Sequence, residues 1–91
     1  MGRNLIDYKL LGSRIQGGRE RLGLSREDVA DRVGFGTSYY GKIERGDDKP
    51  SLERLVALCI ALQIPIGDVL SGVIHTETKF DNRPISNEQY L

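Results

Sequence analysis

Ninety-one residues allow one domain with a modest core, since a chain this short buries only about 60% of its unfolded surface. At 38% apolar and 29% charged residues it is composed like an ordinary soluble protein, and no apolar run approaches the roughly 18 residues that cross a bilayer. Thirteen Lys/Arg balance thirteen Asp/Glu, which excludes a uniformly basic nucleic-acid coat, but residues 1–50 hold ten basic against eight acidic groups (+2) and residues 51–91 three against five (−2).

The chain opens on MGRNLIDYKLLG, which lacks the apolar stretch of a secretory signal; Gly2 is not followed by a myristoylation pattern, because Ile6 stands where Ser or Thr is required. A cytoplasmic location is the expectation, with residues 1–9 as an N-terminal extension. Leu11, Ile15, Gly18 and Leu22 recur at helical spacing and predict a helix over about 10–22. Gly17 and Gly18 fall inside it, each costing about 1 kcal/mol relative to alanine. A bulky neighbour such as Tyr40 or Phe35 is expected to fill the volume missing at Gly18. A phosphate-cradling loop is not, because no strand–glycine–helix context with Lys-Ser/Thr follows.

Ser25 and Asp28 form a capping-box pattern ahead of a helix over about 26–33, whose apolar positions Val29, Ala30 and Val33 share a face. Gly34 makes a turn. A second short helix, over about 37–45, carries Tyr40 and Ile43 inward and sets Thr37, Ser38 and Lys42 on another side, with Gly46 as its terminator. Two such helices about a glycine turn fit a helix-turn-helix, the unit that places its second helix in the major groove of DNA.

Residues 47–50 are a polar loop. A fourth helix follows the Ser51 cap to about residue 63, with Leu52, Leu55, Val56, Cys59 and Leu62 at three- and four-residue steps. Cys59 has no partner for an internal disulfide and reads as a small buried hydrophobe. A fifth helix spans about 66–71, with Pro65 near its first position and Gly72 closing it. In the tail, 73–91, VIHTETKF alternates as a strand does. One strand needs a partner: residues 3–10 and the same strand of a second subunit are both open, as is a disordered tail. His75 reads as an exposed strand residue.

The stretch from about Leu11 to Leu70 resembles the Cro/repressor-type (lambda-repressor-like) helix-turn-helix family. Gly12, Ile15, Arg19, Gly23-Leu24-Ser25, Val29-Ala30 and Gly34 match, followed by Lys42-Ile43-Glu44-Arg45-Gly46, Pro50-Ser51-Leu52, Leu55 and Ala61-Leu62. The resemblance implies a compact all-α domain of five helices over 10–72, with 73–91 as a tail, a candidate β-strand and dimerisation arm. It places Thr37, Ser38 and Lys42 at base-facing positions. Lys42 can reach guanine O6 and N7, whereas Ser and Thr discriminate weakly. Arg26, Tyr39, Arg45 and Lys49 would contact phosphates or flank the groove, and Arg19 with Glu44 would form a partly buried ion pair bracing the recognition helix. Gly36 stands where the family usually has a capping serine, Arg26 where it commonly has glutamine, and Gly41 where a side chain often faces DNA.

The leading functional expectation is a sequence-specific DNA-binding regulator, a repressor, acting as a homodimer on double-stranded operator DNA through helix 5 and the tail. Two alternatives stand beside it: an antitoxin-type DNA-binding partner of a toxin, and a protein-interaction adaptor that has lost DNA binding. One histidine, one cysteine and no metal-ligand cluster or acid/base carboxylate pair argue against an enzyme, a metal site or a cofactor. No membrane partner is expected.

Overall fold

The computed structural model describes residues 5–75. Five helices follow in order: α1 (Tyr8–Arg21), α2 (Arg26–Val33), α3 (Thr37–Arg45), α4 (Leu52–Leu62) and α5 (Ile66–Leu70). Local chemistry sets their ends. Asp7 caps α1 by accepting from the Leu10 amide at 3.0 Å, so the helix begins ahead of residue 10. Ser25 and Asp28 complete a reciprocal capping box on α2. Gly34 and Gly46 close α2 and α3 in the left-handed region, at φ 76° and 77°. Ser51 caps α4 through the Arg54 amide, and Gln63 ends it at φ 58°.

The core is one cluster: Leu11 and Ile15 of α1, Val29 and Ala30 of α2, Tyr40 and Ile43 of α3, Leu55, Leu58, Cys59 and Leu62 of α4, with Val69 and Val73. Two expectations change here. Leu52 and Val56 do not belong to the inward line of α4. Leu52 is 73% exposed and Val56 40%, because the buried line runs through Leu55, Leu58, Cys59 and Leu62. The space beside Gly18 is taken neither by Tyr40 nor by Phe35. Ile64, in the turn after α4, packs where a Gly18 side chain would stand. Gly12 has a different reason to be bare: a Cβ there would overlap the backbone carbonyls of Ile43 and Glu44. That close approach seats the C-terminal turn of α3 on α1.

The packed unit reaches past 10–72 at both ends. Val73 is fully buried and Ile6 packs on the core. An antiparallel bridge joins Ile6 to Ile74, flanked by Asp7 N–H donating to Val73 O at 2.7 Å and His75 N–H donating to Leu5 O at 2.8 Å. The start of the predicted tail strand therefore pairs with residues 5–7 of the same chain. Residues 76–91, which carry the rest of that strand and the loop after it, lie outside the described residues.

Candidate nucleic-acid interface

Helix α3 is divided lengthwise. Tyr40 and Ile43 are buried, at 0% and 1% exposure, and they fix the helix to the core. Thr37, Ser38, Lys42 and Arg45 are exposed on the opposite side. Gly41 sits among them without a side chain, and the Arg45 guanidinium lies over it, with Nη1 3.2 Å from where a Cβ would be. The outer side thus carries two hydroxyls and two cations, and Gly41 is buried beneath the Arg45 side chain. Gly36 precedes the helix with no side-chain cap, so the first-turn amides of α3 lack the acceptor that a serine supplies.

Behind α3 lies a polar knot centred on Glu44, whose side chain is fully buried. Arg19 Nε donates to Glu44 Oε2 at 2.6 Å and Nη2 to Oε1 at 3.2 Å, while Nη1 donates to Leu24 O at 2.9 Å. The Tyr40 hydroxyl donates to Glu44 Oε2 at 2.5 Å. Arg26 Nε donates to Oε1 at 2.9 Å. Burial opposes the Glu44 charge, but hydrogen bonds from Arg19, Tyr40 and Arg26 outweigh it and hold the carboxyl below its usual range. Burial and then the bond to Glu44 push the Tyr40 phenol well above its usual range. Arg19 is held above its ordinary value, chiefly by the Glu44 hydrogen bond. A buried carboxylate with two arginines and a phenol is fully satisfied, so it rigidifies α3 against α1 and α2.

The remaining predicted residues ring this helix. Arg26 is half exposed (48%), and its Nε is committed to Glu44. That fourth member of the knot is invisible to helical spacing, which gives no crossing angle between α2 and α3. Tyr39 is half-buried and meets Phe35 edge to face, with ring centroids 5.5 Å apart. Arg45 Nε lies 3.3 Å from Asp47 Oδ2, both exposed. The Lys49 ammonium sits 5.5 Å from the Tyr8 ring centroid, which ties the α3–α4 loop to the start of α1. Arg54, which periodicity did not single out, lies at the first turn of α4 over two rings of this region: its guanidinium carbon is 5.4 Å from the Tyr39 centroid and 6.0 Å from that of Phe35. No helix among the described residues is long and apolar enough to cross a membrane.

Comparison with known proteins places this geometry in context. A family profile described as helix-turn-helix matches residues 15–69. The transcriptional regulator ClgR of Mycobacterium tuberculosis is 37% identical over 62 residues, covering 68% of this chain and 55% of that protein; the chain therefore spans about half the length of this curated relative. Among solved structures, the restriction-modification controller protein C.AhdI from Aeromonas hydrophila superposes with a TM-score of 0.66 at 35% identity, over 69% of this chain and 96% of that one. SinR, described as a master regulator for biofilm formation and solved in complex with DNA, gives 0.63 at 29% identity over 67% and 98%.

Proposed function

Because the chain belongs to the Cro/repressor-type (XRE) helix-turn-helix family, we propose that it is a sequence-specific DNA-binding transcriptional regulator, a repressor without catalytic activity, that works in the cytoplasm. The observation that carries this reading is the division of α3: an anchored inner face of Tyr40, Ile43 and Glu44, and an outer edge of Thr37, Ser38 and Lys42 open to solvent. A helix braced in this way can enter a major groove without its own reorganisation. Lys42 supplies the guanine contact, Thr37 and Ser38 the more permissive ones. Tyr39, Arg45, Lys49 and the outer edge of Arg26 serve phosphates. SinR, a structural relative solved on DNA, supports the same use of the fold here.

A single copy presents too few base-reading groups for useful specificity, so the active species is a homodimer. Its contact surface is the apolar side of α4 and α5: Leu52, Val56, Ile60 and Ile66 are 73%, 40%, 73% and 42% exposed. On α4 the first three recur four residues apart. Two copies would read half-sites about 34–36 Å apart.

Selection of bound duplexes from a random pool, followed by fluorescence anisotropy, tests the proposal. About four phosphate contacts per subunit give a slope of log K on log salt of about −3.6 per subunit. Lys42→Ala should cost about 1–3 kcal/mol on the selected duplex and much less on a random one. Absence of binding to any duplex at low salt refutes the reading.

A further inference from the structure

We propose that Arg54, on α4, is a DNA-backbone contact: a guanidinium held by Tyr39 and Phe35 at the edge of the groove-facing helix, taking a phosphodiester oxygen. The inference rests on the DNA-binding reading above and extends its footprint from α3 to α4, which deepens the expected wild-type salt slope from about −3.6 to about −4.5 per subunit.

Three observations lead to it. The first is position. The contact with Tyr39, with Arg54 Nη1 3.4 Å from the Tyr39 hydroxyl, sets the charge beside the first turn of α3. In a helix-turn-helix the N-terminal residues of the second helix meet the base edges, so the strand backbone bordering the groove passes there. The second is charge. Arg26 and Arg45 each share their charge with a carboxylate, Glu44 and Asp47. Among the described residues Arg54 pairs with none. Theirs is offset by a bonded carboxylate, and its own is not. The third is access. Gly34, Phe35, Gly36, Tyr39 and Arg54 line a slot of about 270 Å³. A Cβ at Gly34 or Gly36 would meet no atom within 4 Å, so bare backbone leaves room for a phosphate to approach.

The rings also make the arrangement effective. A guanidinium seated over rings keeps N–H donors for an anion, and only Nη1 of Arg54 is directed at the Tyr39 hydroxyl. The ring contacts restrain a long side chain that would otherwise lose rotamer freedom on binding.

The test uses the full chain with Arg54→Met, which keeps an apolar stem of similar length, and Arg54→Lys, which keeps charge but not the planar group. Anisotropy titrations run from 50 to 200 mM salt on the selected duplex and on a random one. Arg54→Met should make the salt slope shallower by about 0.9 per subunit, so that affinity falls about 3.5-fold less per subunit across that range. Its loss of affinity should be the same on both duplexes, and its melting temperature unchanged. Arg54→Lys should keep the wild-type slope. An unchanged slope in Arg54→Met overturns the proposal. So does a loss confined to the selected duplex, which marks a base reader, and so does a lysine variant that behaves like methionine, which marks the ring contact alone. Wild-type protein that binds no duplex removes the DNA-binding reading itself, a result separable from all of these.

Discussion

Replacing Glu44 by alanine should destabilise the domain severely. The carboxylate is fully buried and accepts from Arg19, Tyr40 and Arg26. Its removal leaves the Arg19 guanidinium, whose side chain is only 11% exposed, with Leu24 O as its acceptor. Breaking a buried pair by deleting one partner costs about 3–5 kcal/mol. The stranded Tyr40 hydroxyl pushes toward the upper end, since an unsatisfied buried donor costs about 1–3 kcal/mol by itself. Arg26 adds little, because it is half exposed and water can replace the carboxylate. For a domain this small, 3 kcal/mol corresponds to a fall in melting temperature of about 12–24 °C. Glu53, exposed in the first turn of α4, is the control, and its alanine variant should stay within about 0.5 kcal/mol of wild type. Glu44→Gln, which keeps an acceptor for Tyr40 but not the charge, should fall between. Thermal and urea unfolding of the three variants measure this. Equal melting temperatures for Glu44→Ala and Glu53→Ala would refute the claim that this knot braces α3.

The same knot sets the pH limits. The folded Glu44 carboxyl titrates below its ordinary value of 4.5, so its contribution is fully present above that pH and is lost as pH falls through the folded value. The folded Tyr40 phenol titrates above its ordinary 10.0, so its contribution is fully present below that pH and is lost as pH rises through the folded value. Tyr40→Phe should therefore flatten the decline of unfolding free energy above pH 10, as urea titrations at several pH values would show. Gly17→Ala should stabilise by about 1 kcal/mol, because a Cβ there meets nothing within 4 Å, whereas Gly12→Ala should destabilise by driving α1 off the carbonyls of Ile43 and Glu44; calorimetry of the pair reads both signs. Ile60→Glu should convert a sedimenting dimer to monomer with little change in secondary structure, since Ile60 makes a negligible core contribution at 73% exposure.

What the sequence made legible is what local chemistry decides. Ser25 with Asp28, Ser51, Gly34 and Gly46 each mark a helix end through a backbone group within four residues, and those ends stand where the caps put them. What escaped depends on how helices cross. Leu52 and Val56 fit the apolar spacing of α4 as well as Leu58 does, and only the direction from which α1, α2 and α5 approach decides which side is buried. The neighbour of Gly18 comes from the α4–α5 turn, 46 positions away in the chain, and no period points to Ile64. The bond of Arg26 to Glu44 arises because the start of α2 lies over the back of α3, a crossing that no local pattern encodes.

The pairing of arginines with carboxylates also sets how much positive charge this chain of zero net charge leaves around α3. Glu44 takes its share from Arg19 and Arg26 inside the molecule, and Asp47 takes some from Arg45 at the end of α3. These pairs take charges of both signs, three basic and two acidic groups, so they reduce the cations left for the surface of α3. Coulomb attraction at the groove falls to a few side chains at the edge of α3, Lys42 and Arg54 foremost, and screening acts on each of them separately. A protein built this way should hold non-specific DNA weakly and gain its affinity from fit. Adding one lysine in place of exposed Glu53, beside Arg54, should raise random-duplex and operator affinity by about the same factor, so a gain confined to one duplex would contradict the argument.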